Sequence, residues 1–401
     1  MADPRVKIVI EAEDKSRGTF DSAAGNLSAF GKTATSVGKG LSLGLTAPLA
    51  ALGALAFKAG SELNAGMADV ASLSIASDRV NELKSNVQDM QIEFGKTSGD
   101  LTSGLYQVIS AFGDSADAAK ELDLAVKAGV AGRASTSEAL ALISAETKGY
   151  GDTSLAAQQK VADLGLKTVE LGKTTLPELA SSIGMVTSMS AQLGISQEEL
   201  HAGASALSGV IGTTSQVFTG QRGVMQSLLA PTDSMTSLMA ALNYKNGEAM
   251  VKGLGWSKTL QVITTAAKAS GLPLQSFIGS IEGQNYALAL TGAQLQKYTS
   301  DLVSLGNSTG KTDAAYAAQT QGVNKLAFTF EQGKQKIQVF LEKLSDGAGP
   351  ALGGRRHPAR RATGPRPRDG LVAPRAGERR TALPDGHRRR RDAPEPNPGR
   401  Y

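Results

Sequence analysis

The chain of 401 residues has no cysteine, a single tryptophan, three histidines and aromatic side chains at only 4% of its positions. The missing cysteine excludes disulfides, thiolate catalysis and cysteine-ligated metal centres. The shortage of aromatics leaves Ala, Leu, Val, Ile and Met to build any core. Each of these buries little area, so a thin or elongated core is expected. His357 and His387 lie in the arginine-rich C-terminal stretch. His201 follows Glu198, Glu199 and Leu200, in what reads as the first turn of a helix. It has no second histidine at ligand spacing and is expected to be a surface or half-buried residue. No serine sits in a Gly-x-Ser-x-Gly elbow, and the carboxylates are scattered as solvated charge. No catalytic residue, cofactor or metal ligand is nominated, and the chain is read as non-enzymatic. The start, MADPRVKIVIEAEDKSRG, lacks the apolar core of an export signal, so secretion through one is not expected.

The formal charge of +5 hides an uneven distribution. Residues 354–401 hold 14 Arg and no Lys against 5 acidic residues, leaving 28 basic and 32 acidic residues in 1–353. Eight of the 14 prolines also lie in that stretch. A genuine basic arm, with its run Arg388–Arg391, would bind phosphates with steep salt dependence. However, the body favours lysine and the tail uses none. So abrupt a switch fits a change of reading frame near Leu352 better than an arm. The stretch 353–401 is expected to be disordered. The chain divides into an N-terminal strand, helix and apolar segment (1–60), a helical core (61–352) and this tail (353–401).

The pattern between the ends is helical. VKIVI at 6–10 reads as one short strand. Beyond it Leu83, Val87, Met90 and Phe94 share one helix face. So do Leu101, Leu105, Val108 and Phe112, and later Phe330, Ile337, Phe340, Leu341 and Leu344. No a/d heptad is expected to persist long enough for a coiled coil. The 46 glycines suggest many helix ends and close crossings. Gly194 followed by Ser196 and Glu199 reads as one helix's stop and the next one's capping box. Gly132 with Ser135 and Glu138 repeats it, and Thr175 with Glu178 offers another start. The expected fold is mainly α, an array of short to medium helices with one N-terminal strand and a disordered C-terminal tail. GNSTGKT at 306–312 suggests a phosphate loop, but Gly306 and Gly310 enclose three residues where a Walker A loop needs four. GKT recurs at 31–33, 95–97 and 172–174. All four copies are read as a helix-ending glycine beside a cation.

From Gly40 to Phe57 no residue is charged. Eighteen residues is at the short edge of a membrane span of about 20. Pro48 and the glycines weaken it, so a buried or conditionally membrane-active helix is expected. Its candidate residues are Leu41, Leu43, Leu45, Pro48, Leu49, Leu52, Leu55 and Phe57.

This run and its neighbours resemble the core of phage tail tape measure proteins, the minor tail protein family. The residues that carry the resemblance are Phe20 through Phe30, Lys39, Leu45-Thr46-Ala47-Pro48-Leu49, Gly53, Lys58-Ala59 and Met67-Ala68-Asp69-Val70. The Gly194–Leu200 stretch, Thr219-Gly220-Gln221-Arg222-Gly223, Leu228-Leu229-Ala230-Pro231, Ser270-Gly271 and Ala287 to Gly292 follow in order. Phe340 to Leu352 closes with Gly-x-Gly-Pro-Ala-Leu. The resemblance implies a structural tail protein that acts in tail assembly and sets tail length. Its implied partners are the tail tube protein and assembly chaperones, with several copies in the tail lumen. It also implies a bacterial cytoplasmic stage during assembly, entry of the apolar segment into the host membrane on ejection, and passage of genomic DNA without sequence-specific binding. Family members usually run on for hundreds of residues, so the chain is expected to be truncated or out of frame near its C-terminus. The rival expectation is a short membrane-active or nucleic-acid-binding protein using residues 40–57 and the basic tail.

Overall fold

The structure, a computed structural model, describes residues 46–352. The strand expected at 6–10 and the arginine-rich stretch 353–401 lie outside the described residues. Among the described residues there are seventeen α-helices, three short 3-10 turns and no strand. The chain opens with α1 (Thr46–Ala71), α2 (Ser77–Phe94), α3 (Ser98–Phe112) and α4 (Ala118–Gly132). Next come α5 (Thr136–Tyr150), α6 (Leu155–Leu171), α7 (Leu176–Ser182), α8 (Thr187–Leu193) and α9 (Gln197–Leu207). After them run α10 (Thr214–Leu229), α11 (Asp233–Ala241), α12 (Gly247–Leu254) and α13 (Trp256–Ser270). The series closes with α14 (Ile281–Thr291), α15 (Leu295–Leu305), α16 (Lys311–Thr320) and α17 (Lys325–Leu352).

Local chemistry sets most of the boundaries. At Ser135 and Ser196 the hydroxyl accepts from the N3 amide while Glu138 and Glu199 reach back to the cap amide, so both expected capping boxes form. Thr175 accepts from the Glu178 amide with Pro177 in the opening turn. The Ser135 contacts hold the Glu138 carboxyl below its ordinary range. Glu199 does more than close its own box: its Oε1 accepts from the Trp256 amide at 2.8 Å, satisfying the start of α13 as well. One stop signal is displaced from the expected residue. Arg133, not Gly132, adopts the left-handed conformation (φ 52°) that ends α4. Gly132 is the last helical residue, and its lack of a side chain serves packing: a Cβ there would run into Leu176.

Two apolar clusters lie on either side of α4. Leu63 and Val70 of α1, Leu83 and Val87 of α2 and Leu101 and Leu105 of α3 join Leu122 and Ala125 of α4 in the first. Leu124, Ala128 and Ala131, on the opposite face of α4, join the second, which extends through α15. This second core is deeper than the composition suggests, because the few large aromatics are concentrated in it. Trp256, Phe218, Tyr286 and Tyr298 are each at most 1% exposed, and such rings bury about 150–250 Å² apiece. The Trp256 and Tyr286 rings lie 6.2 Å apart, and the indole Nε1 donates to the Tyr286 hydroxyl at 3.1 Å.

α17 returns from the far end of the chain to pack on α1 and α2. Its seat is largely polar. Glu342, fully buried, accepts from Gln91 and Gln88 at 3.0 and 3.3 Å. Lys84 pairs with Asp346 at 2.8 Å, and the Gln332 amide donates to the Glu93 carbonyl at 2.7 Å. Apolar contact is made by Leu341, with Phe340 beside it, against Ala56 and Ala59, by buried Val339, and by Phe328, whose ring meets that of Tyr316 in α16 edge-on at 6.3 Å.

Candidate functional site

The apolar run enters the described structure as the first half of α1. Pro48 lies in the opening turn, where a missing amide proton leaves no helix bond unmade. The run therefore starts a helix at this point instead of being broken by its proline. Leu41, Leu43 and Leu45 lie outside the described residues, and of Pro48 and Leu49 only the helical backbone is described. Leu52 is half-buried, whereas Leu55 and Phe57 are 53% and 66% exposed. Ala56 and Ala59, between them on the helix, form the face against α17. No described helix is long and apolar enough to cross a membrane.

Further along α1 a groove of about 950 Å³ opens between this helix, the start of α3 and α17. Glu62 and Asp69 lie on one wall, Thr97 and Tyr106 on another and Lys334 and Gln335 on the third. Its walls carry both signs of charge, and Lys334 is paired with Glu331 at 2.8 Å. Those charges alone select no ligand class.

The suspected phosphate loop is occupied by the protein itself. Gly310 does not end a helix as expected but starts one, as the left-handed N-cap of α16. The amides of Gly310 and Thr312 donate to the two carboxylate oxygens of buried Asp163 at 2.8 and 2.7 Å. Lys311 pairs with Glu170, whose carboxyl is held below its ordinary range by Lys167 and Lys311. The backbone donors and the lysine that a phosphate would use are thus committed to side chains of α6. The other copies differ from one another. Gly95 ends α2 in the left-handed conformation and Thr97 caps α3. Gly172 follows α6 in an extended conformation, and the copy at 31–33 lies outside the described residues.

His201 is fully buried, contrary to the expected surface or half-buried position. Its Nδ1 lies 2.7 Å from the Thr168 hydroxyl and its Nε2 3.0 Å from Glu146, itself fully buried. The Thr168 hydroxyl donates onward to the Leu164 carbonyl at 2.7 Å. This chain of three side chains ties α5, α6 and α9 together. None of the three is open to solvent, so a substrate has no approach to them; they partner one another within the core, although Glu146 Oε1 is left without a hydrogen bond. Among the described residues no group of three His, Asp or Glu is placed to hold a metal.

Residues 84–283 match the family model described as phage-related minor tail protein. The chain belongs to this family. The tape measure protein of Pneumococcus phage Dp-1 is 27% identical over 341 residues, which are 80% of this chain and 28% of that relative. The chain therefore spans less than a third of that relative's length. No solved structure matches it. In this minor tail protein the stretch Thr219–Gly223 serves packing. A Cβ on Gly220 would stand 2.8 Å from the Glu282 carbonyl oxygen and from Tyr286 Cβ, and one on Gly223 would stand 3.2 Å from the Gly283 amide. These two glycines let α10 and α14 cross at backbone distance. The residues missed in the sequence are Asp163 and the buried Glu146–His201–Thr168 chain. Neither carries a local signal.

Proposed function

We propose that this minor tail protein acts in tail assembly and in setting tail length, with the tail tube protein and tail assembly chaperones as partners in the virion tail. The observation that supports this reading most is the position of the family match: residues 84–283 run from α2 to the α10–α14 crossing and take in most of the deep core. The likeness to a protein named as a tape measure points the same way. The buried polar chain and the self-occupied loop fit a scaffold, since their polar groups are consumed in holding helices together.

The test is genetic and structural. Deleting the gene from the phage that encodes this chain should leave particles without tails of normal length, and supplying the gene in trans should restore them. An in-frame duplication of part of the helical core should shift the tail length distribution in electron micrographs. Tails of unchanged number and length in the deletion would overturn the proposal.

We also infer that the run Leu41–Phe57 enters the host membrane on ejection, as genomic DNA passes. The exposed Leu55 and Phe57 support this, because apolar side chains of that size gain by leaving water. A synthetic peptide of residues 38–60 should partition into liposomes and become helical there. A peptide that stays in the aqueous phase unfolded sinks the idea.

A further inference from the structure

The groove between α1, α3 and α17 holds polar groups that the chain leaves unanswered. Gln335 lines it and is 6% exposed, yet its side-chain oxygen Oε1 accepts no hydrogen bond among the described residues. A buried acceptor in that state is costly unless something else brings it a proton. On another wall Ser98 and Gly99 open the fifteen-residue α3, and the first amides of a helix have no acceptor within it. Thr97, the cap, takes the amide of Asp100. The groove therefore offers an acceptor in need of a donor and donors in need of an acceptor. It also has room between them. Glu62, Ala65, Asp69 and Ser72 line it from one face of α1 over about 15 Å, and a Cβ on Gly99 would meet nothing within 4 Å. Tyr106, 38% exposed, adds an aromatic ring to the lining.

We propose that this groove is a binding site for a neutral saccharide chain of a few rings. A sugar hydroxyl both donates and accepts, so one ligand can give a proton to Gln335 Oε1 and take protons from the Ser98 and Gly99 amides. Charged ligands answer only part of the lining. A polyamine is drawn to Glu62 and Asp69 but donates only, and leaves the two amides unmatched. A phosphate or carboxylate suits the amides, but it faces those two carboxylates and brings no proton to Gln335. The lining's lysine does not restore the balance for an anion, because Lys334 is paired with Glu331 at 2.8 Å and stands 6.0 Å over the Phe330 ring. Tyr106 completes the match, since the C–H face of a pyranose packs on the negative face of an aromatic ring. The inference goes beyond the tail role and does not rest on it.

The test is calorimetric titration of the full chain with maltotriose and chitotriose, beside glycerol, spermidine and inorganic phosphate. At least one trisaccharide should bind saturably at a single site, with a Kd of about 1 mM for so open a groove. Gly99→Leu should abolish that binding by filling the groove, while far-ultraviolet circular dichroism stays unchanged. Tyr106→Ala and Gln335→Met should each weaken it by about tenfold. Gln335→Met should also melt no lower than wild type, because it removes an acceptor that the chain itself does not use. Val303→Ala, on the exposed side of α15, should leave binding as it is. Three outcomes would each overturn the proposal: no heat from either trisaccharide at about 10 mM, binding that survives Gly99→Leu, or glycerol, spermidine or phosphate binding more tightly than both sugars.

Discussion

The α10–α14 crossing and the seat of α17 bring helices together in opposite ways. At the crossing, Gly220 and Gly223 admit the neighbouring backbone and the fully buried Tyr286 fills the space beside them. At the seat of α17, Gln88 and Gln91 donate to a buried carboxylate, with a small apolar contact around Ala56, Ala59 and Leu341. Shape and area hold the first interface, and hydrogen bonds the second. The first should resist changes of pH and salt, and the second should respond to them.

Trp256→Ala should be the most damaging substitution, because it empties the centre of the deep core and costs about 3–5 kcal/mol by chemical denaturation. Gly220→Val should follow, at about 1–3 kcal/mol or more, since its Cβ would press on the Glu282 carbonyl. If Gly220→Val were neutral, the α10–α14 crossing would be looser than described. Ser196→Ala removes one capping hydroxyl and should cost about 1 kcal/mol.

Glu342 probes the polar seat. Burial pushes its carboxyl above the ordinary range, although hydrogen bonds from Gln91 and Gln88 offset part of the shift. The folded chain therefore holds this proton more tightly than the unfolded chain does. The resulting stability is complete below the ordinary carboxylate value of 4.5 and is lost as pH rises through the raised folded value. Glu342→Gln should melt close to wild type near pH 4.5 and above it at neutral pH. A gap independent of pH would show that Glu342 is not strained by ionisation. Smallest of all should be Phe330→Ala, within about 0.5 kcal/mol, since its ring is 65% exposed and the ring contact the structure shows is the Lys334 ammonium, 6.0 Å from the centroid.

What the sequence made legible was mostly local. Ser196 and Glu199 lie three residues apart, so their reciprocal hydrogen bonds can be read without knowing the fold, and the same holds for Thr175 and Glu178. The stripe Leu83, Val87, Met90 and Phe94 is buried as its spacing predicts. Periodicity says which residues share a helix face but not which way each of them points: on α17 Leu341 is buried and Phe340 half-buried against Ala56 and Ala59, while Phe330, Ile337 and Leu344 are exposed. The partners of His201 are 33 and 55 residues away, and Asp163 reaches an amide 147 residues on. No spacing rule connects such positions, so their burial and pairing become visible only once the helices are packed. The deep core was hidden for a related reason: a 4% aromatic share says nothing about whether those rings are scattered or gathered.

α4 has a consequence for how the molecule comes apart. Leu122 and Ala125 on one side and Leu124, Ala128 and Ala131 on the other belong to different clusters, yet they are carried on the same fifteen-residue helix. Neither cluster can shed that wall without stripping the other. The two should therefore melt in one cooperative transition, and amides of α4 should exchange with solvent only through global opening.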